Sequence, residues 1–130
     1  MSTLASENVA TLEVAPKPAL DLHVLAQLAA IGRNGRPDFM DRIITLFLLT
    51  APRLVKELEV ASKAVKIAAL HRASHSLKPC SATVGALSLA ALCETLETMA
   101  RSGSVPDPTA RVAAIAREYK RVEAALIGAR

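Results

Sequence analysis

Aromatic residues make up only 2% of this 130-residue chain, which has two phenylalanines, one tyrosine and no tryptophan. Proteins that bind nucleic acid commonly stack bases on aromatic side chains or gather lysine and arginine on one face. The formal net charge here is +4, but the charges are scattered along the sequence, so we predict no nucleic-acid partner. With 52% hydrophobic residues, the core must come from leucine, alanine, valine and isoleucine, which favours packed helices over a sheet.

Cysteine and long hydrophobic runs are also scarce. Cys80 and Cys93 lie on apolar helix stripes, which is typical of small buried side chains rather than of a disulfide. The chain has no secretory signal pattern at its start, so a reducing, cytoplasmic location is predicted. The longest apolar run, from Ile43 to Pro52, is far shorter than the roughly 18 residues of a membrane span. We therefore predict no direct membrane contact.

Helical periodicity dominates the chain after residue 19. The first 19 residues have no sustained period and end in a Pro-Lys-Pro run, which predicts a flexible leader or linker, 1–19, before one helical domain, 20–130. From Phe39 to Leu58 apolar residues recur at i, i+3, i+4 and i+7, with Pro52 inside the segment. The predicted fold class is all-α: an antiparallel four-helix bundle with an additional short N-terminal helix.

Turn and capping residues predict where the helices begin and end. Asp21 is expected to cap the short first helix, which Gly32 can close. Pro37 fits the first position of the second helix, and Gly85 permits the left-handed backbone that ends the third. The expected spans of the last three helices are about 64–83, 86–101 and 108–127.

One histidine stands opposite the apolar side of its helix. At about 100° per residue, His75 lies about 200° from Leu77, so its imidazole should face water. The same outward face holds Lys78 one turn away and a helix breaker, Pro79. An exposed imidazole beside a lysine is a candidate nucleophile, because a ring nitrogen faces solvent and an ammonium lies one helical turn away.

The segment around this histidine resembles the phosphoacceptor segment of histidine-containing phosphotransfer (HPt) domains, the relay modules of two-component signalling. The matching residues are His75-Ser76-Leu77-Lys78, Ser81, Gly85-Ala86, Leu89, Cys93 and Leu96-Glu97. The one departure is Pro79, where the family usually has glycine. The resemblance implies a helical phosphocarrier without its own nucleotide site, so no enzyme activity is expected.

The resemblance also implies roles and partners. His75 would accept a phosphoryl group from a receiver-domain aspartate and pass it to another receiver domain, while Lys78 would stabilise the group. The docking surface would comprise His71, Arg72, Ser74, Pro79 and Ala82. Ser81 and Gly85 would supply small-residue packing near the site. The partners would be response-regulator receiver domains, on which Mg²⁺ is expected; the chain itself would need no cofactor. We expect a monomer, either free or tethered to a sensor kinase.

Three other functions compete with this interpretation. The runner-up is a phosphate-independent interaction domain that docks partners through the same helix face. His71 and His75 form an i, i+4 pair of the kind that can bind a metal, but no acidic residue or cysteine is identified on their face, so no metal site is predicted. An independent enzyme is disfavoured, because no second catalytic group is identified beside His75.

Overall fold

The computed structural model describes residues 17–129, and within that range every regular element is an α-helix. The helices are α1 (Leu22–Arg33), α2 (Phe39–Lys63), α3 (Ile67–Thr83), α4 (Leu87–Ser102) and α5 (Pro108–Ala129). From α2 to α5 each helix packs against the next, α5 returns to α2, and α1 packs against α2. Short connections make consecutive helices antiparallel. The prediction of an antiparallel four-helix bundle with a short additional N-terminal helix is confirmed.

The core of the bundle is aliphatic, as the composition predicted. Its largest fully buried apolar side chains are Ile44, Leu58, Leu70, Leu77, Leu89, Leu96, Ile115, Leu126, Val84, Val112 and Val122. Phe47 and Tyr119 join α2 to α5, with their ring centroids 6.0 Å apart. Both cysteines are free thiols, but only Cys93 is buried, while Cys80 is half-buried. Burial raises the pKa of the Cys93 thiol to about 12, so this side chain is a neutral core residue.

The first helix begins as predicted and ends later. The side chain of Asp21 accepts a hydrogen bond from the backbone N–H of His23 at 2.8 Å, which confirms the predicted cap. The prediction that Gly32 closes the helix is wrong, because α1 continues past it and Asn34 is the C-cap residue. The following Gly35 has a φ of 106° and makes the turn.

The second helix starts two residues after its predicted position. Pro37 lies in the turn before α2, Asp38 is the N-cap residue and Phe39 is the first helical residue. The helix then runs without interruption through Pro52. One long apolar face therefore spans the bundle.

The turn between α3 and α4 fixes how these two helices face each other. Gly85 has a φ of 81°, and its N–H donates to the carbonyl of Ala82 at 3.0 Å, while the N–H of Ala86 donates to the carbonyl of Ser81 at 2.9 Å. This paired closure is the Schellman motif. A Cβ on Gly85 would lie 3.1 Å from the carbonyl oxygen of Asp21, so glycine also lets α1 approach. Gly85 ends α3 as predicted.

The predicted leader falls mainly outside the described residues, since residues 1–16 are not among them. From residue 17 the chain contacts the bundle: Arg121 donates a hydrogen bond to the carbonyl of Lys17 at 2.7 Å, and Leu20 is buried. The leader and domain bounds stay predictions. Between residues 17 and 129, no helix is long and apolar enough to span a bilayer.

Candidate functional site

His75 lies in the middle of α3 on the side away from the core. Leu70, Ala73 and Leu77 of the same helix are buried, and they anchor the backbone from which the imidazole projects. The His75 side chain is 66% exposed. The ring therefore faces solvent, as its angle around the helix predicted.

A buried carboxylate from the next helix holds one nitrogen of this ring. Glu97 of α4 has a side chain only 2% exposed, and its Oε2 lies 2.5 Å from Nδ1 of His75. Antiparallel packing of α3 against α4 brings these two residues together. The contact with Glu97 fixes the position of Nδ1 and, with it, the orientation of the ring.

Two cations share the same carboxylate. Lys78 Nζ lies 2.7 Å from Glu97 Oε1, and a guanidinium nitrogen of Arg101 donates to Oε2 at 3.2 Å. The Lys78 ammonium and, after it, the His75 ring lower the pKa of Glu97 to about 2, against the opposing effect of burial. Glu97 is therefore an ionised carboxylate at neutral pH.

The charge on Glu97 decides which ring nitrogen of His75 is the nucleophile. An ionised carboxylate can only accept hydrogen bonds, so Nδ1 of His75 must carry the proton and donate. In the neutral ring the other nitrogen, Nε2, then has the free lone pair. Because the ring is mostly exposed, Nε2 is available to a phosphoryl donor that approaches from solvent.

Lys78 bridges the two helices on the exposed side of this pair. Besides Glu97 it contacts Glu94, with Lys78 Nζ 2.8 Å from Glu94 Oε1. Hydrogen bonds to Glu94 and then Glu97 raise the pKa of Lys78, and Lys78 lowers the pKa of Glu94. The predicted phosphoryl-stabilising lysine is thus already paired with two carboxylates in the unphosphorylated protein.

The predicted docking residues fall into two groups. Arg72, Pro79 and Ala82 are exposed, and His71 is half-buried with its ring stacked on that of His75, at a centroid distance of 6.0 Å. Ser74 does not belong to this surface.

The prediction for Ser74 is wrong because of its angle on the helix. Ser74 is fully buried, and its hydroxyl donates to the carbonyl of Leu70 at 2.7 Å. It lies three residues before Leu77, about 60° away around the axis, and so faces the core. Ser81 is likewise buried and donates to the carbonyl of Leu77 at 2.8 Å, where its small volume permits close packing.

Pro79 changes the backbone next to His75 without ending the helix, because α3 continues to Thr83. Proline has no amide N–H, so the carbonyl of His75 lacks the partner that the residue four positions later normally supplies. The Thr83 hydroxyl donates to the carbonyl of Pro79 at 2.9 Å. The exposed side of α3 therefore carries an apolar proline ring close to His75.

An apolar groove lies between α2 and α3 beside Pro79. Its volume is about 320 Å³. It is lined by Ile43, Leu46, Phe47, Thr50, Cys80, Thr83 and Val84. Leu46 is 60% exposed, and Cys80 lies five residues after His75, a rise of about 7.5 Å along the helix. A single partner protein can therefore contact both the exposed histidine and this apolar groove.

Sequence reasoning missed the group that pairs with His75. No second catalytic group was identified beside His75 from the sequence, and the contact between Glu97 and the ring was not predicted. The signal was the turn: Ala86 lies eleven residues after His75 and eleven before Glu97, and eight after Lys78 and eight before Glu94. In an antiparallel helix pair, residues equally far from the turn lie opposite each other. Among residues 17–129 no group of three or more possible ligands could hold a metal ion.

The depressed pKa of Glu97 predicts an acid-sensitive contribution to stability. A carboxyl group whose pKa is lowered by folding stabilises the native state above its unfolded pKa of 4.5, and this contribution is lost as pH falls toward 2. We therefore expect the difference in unfolding free energy between wild type and Glu97→Gln to shrink between about pH 5 and about pH 3. Urea unfolding at both pH values measures it, with Glu57→Gln as an exposed control. A difference that is independent of pH would contradict the assignment.

Comparisons with known proteins agree with this geometry. Residues 42–125 match the family model of the Hpt domain. The crystal structure of histidine-containing phosphotransfer protein B (HptB) from Pseudomonas aeruginosa PAO1 is similar, with a TM-score of 0.77 and 28% sequence identity over 87% of this chain and 95% of that one. No curated protein matches the chain. The chain therefore belongs to the Hpt domain family of histidine phosphotransfer proteins.

Proposed function

We propose that the chain is a phosphorelay module that accepts a phosphoryl group on His75 from a receiver-domain aspartate and passes it to another receiver domain. Hpt proteins are phosphocarriers rather than kinases, and they interact with response-regulator receiver domains. The observation that carries the proposal is the His75 ring, which is exposed at Nε2 and held at Nδ1 by buried, ionised Glu97.

The transfer is a displacement at phosphorus. The Nε2 lone pair of His75 forms the new N–P bond while the O–P bond of the aspartyl phosphate breaks, and the aspartate carboxylate leaves with the bonding pair. The ring keeps its Nδ1 proton and gains positive charge, which the Glu97 carboxylate compensates at 2.5 Å. Attack by the aspartate of a second receiver reverses the displacement and restores the neutral ring. Mg²⁺ is expected on the receiver domain, and this chain supplies no cofactor.

We assign receiver docking to a surface made of the exposed residues Arg72, Pro79 and Ala82, half-buried His71, and the groove between α2 and α3. Arg72 contributes positive charge on the side of α3 toward its N-terminus. On the other side, Cys80 and Thr83 of α3 line the apolar groove opposite Leu46. A partner that covers both parts would exclude water from the transfer and hold its aspartate over Nε2 of His75.

The same proposal includes the setting in which the domain acts. We assign it to the cytoplasm, as a monomer that is either free or tethered to a sensor kinase. Cys80 and Cys93 are free thiols, which agrees with a reducing compartment. The core stripes of α2 to α5 cover one another within a single bundle, which agrees with a monomer.

The groove also favours a second candidate function, a docking domain that binds its partner without phosphate. Its apolar lining supplies contact area that does not depend on His75. Receiver binding that is unchanged in His75→Ala, in a chain that never acquires phosphate, would identify this function.

Transfer of label from a phosphorylated receiver domain tests the proposal. We expect wild type and His23→Gln, a control at an exposed histidine of α1, to acquire an acid-labile, alkali-stable label and to pass it to a second receiver. His75→Gln should acquire none. If wild type stays unlabelled with every receiver tried, or if His75→Gln is labelled equally, the proposed function is wrong.

A further inference from the structure

Lys78 lies between two carboxylates of very different exposure. Its ammonium is 2.7 Å from Oε1 of Glu97, whose side chain is 2% exposed, and 2.8 Å from Oε1 of Glu94, whose side chain is 55% exposed. The buried carboxylate is held by three partners, since His75 and Arg101 contact its other oxygen. Among residues 17–129, the exposed one has Lys78 and a weak contact from Thr98 at 3.5 Å as its partners. Of the two, Glu94 is the partner that Lys78 can leave.

A phosphoryl group on His75 would compete with Glu94 for this lysine. It adds close to two negative charges at a ring that stands one helical turn from Lys78. An ammonium has three donors, two of which face Glu94 and Glu97 in the unphosphorylated protein. A third negative group in the same place repels the exposed carboxylate and attracts the cation. The response with the lowest free-energy cost is a rotation of the Glu94 side chain into solvent.

We propose that Glu94 is a positioning residue that holds Lys78 until His75 is phosphorylated and then yields it to the phosphoryl group. Glu94 thereby sets the equilibrium of phosphoryl transfer between a phosphate donor and this chain. The inference rests on the proposed function of His75 but requires no particular receiver. Removing the charge of Glu94 leaves Lys78 free for the phosphoryl group. At equilibrium, the ratio of phosphorylated to unphosphorylated protein should therefore be roughly two- to fivefold higher for Glu94→Gln than for wild type, which corresponds to the energy of an exposed ion pair.

Phosphoramidate is the probe, because it phosphorylates histidine without a protein partner. The Nε2–P bond forms as the P–N bond of phosphoramidate breaks, and ammonia leaves; added ammonium makes the exchange reversible. Wild type and ¹⁵N-labelled Glu94→Gln are equilibrated in one solution, and native mass spectrometry at neutral pH gives the phosphorylated fraction of each. Glu123→Gln is the control, because it removes the same charge on α5, a helix that packs against α2 and α4. Equal fractions for wild type and Glu94→Gln would overturn the inference.

A double-mutant cycle shows whether the effect passes through Lys78. The comparison is repeated with Lys78→Met against Lys78→Met/Glu94→Gln, after circular dichroism has shown that each variant is folded. We expect the gain from Glu94→Gln to disappear in this background, because no ammonium is left to release. An undiminished gain would mean that Glu94 acts by its own charge and would overturn the positioning role. Absence of label from wild type would instead count against His75 as acceptor, so the two failures are distinguishable.

Discussion

Glu97→Gln is expected to slow phosphorylation of His75 by about ten- to a hundredfold, the range seen when a carboxylate that orients a metal-binding histidine is removed. The ionised carboxylate accepts from Nδ1 and thereby keeps the lone pair on Nε2. A glutamine can also donate from its amide, so it no longer selects the tautomer. It also carries no charge to compensate the positive ring that forms on phosphorylation.

The measurement for this variant is the rate of label incorporation from phosphoramidate and from a phosphorylated receiver. Glutamine has almost the same shape as glutamate, so the packing between α3 and α4 is kept. Glu123→Gln, the same change on α5, should retain the wild-type rate. A folded Glu97→Gln protein that is phosphorylated within twofold of the wild-type rate would show that the buried carboxylate does not direct the chemistry.

Leu77→Ala is expected to have the largest effect on stability near the site. The side chain is fully buried in α3 two residues from His75. Removing it leaves a cavity and should cost about 2–5 kcal/mol of unfolding free energy, a large share of the roughly 5–15 kcal/mol that a small domain has. Urea unfolding measures the loss.

Ser76→Ala is the control for this substitution, since Ser76 is the neighbouring residue and is exposed. Its effect should stay within about 0.5 kcal/mol. If Leu77→Ala costs less than about 1 kcal/mol, the site can collapse around the missing side chain, and α3 is not held by this part of the core.

Local periodicity predicted most of the fold, because an apolar stripe at helical spacing depends only on residues within one helix. The stripe through Leu70 and Leu77 also predicted that His75 faces solvent. The predicted end of α1 at Gly32 and the predicted start of α2 at Pro37 were both wrong. At each place two neighbouring residues of similar propensity could end or begin the helix, and the hydrogen bonds of the whole turn determine which of them does. Ser74 was placed on the wrong face although its angle to Leu77 could have excluded it.

The charge network at the site was harder to predict, because it joins two helices. Glu97 is 22 residues from His75 along the chain, and its contact with the ring depends on how α3 and α4 pack. The Gly85 turn contains that information, since it sets the pairing of His75 with Glu97 and of Lys78 with Glu94. The sequence predicted that Lys78 would stabilise the phosphoryl group. Its pairing with Glu94 and Glu97 in the unphosphorylated protein follows only from the three-dimensional arrangement.

The position of phosphorus on the histidine ring tests the central claim most directly. The ¹⁵N-labelled chain is phosphorylated, and couplings between ³¹P and the imidazole nitrogens are recorded by NMR for all three histidines, His23, His71 and His75. We predict phosphorus on Nε2 of His75, with Nδ1 still protonated and no phosphate on the other two. Phosphorus on Nδ1 of His75, or on His23 or His71, would contradict the account.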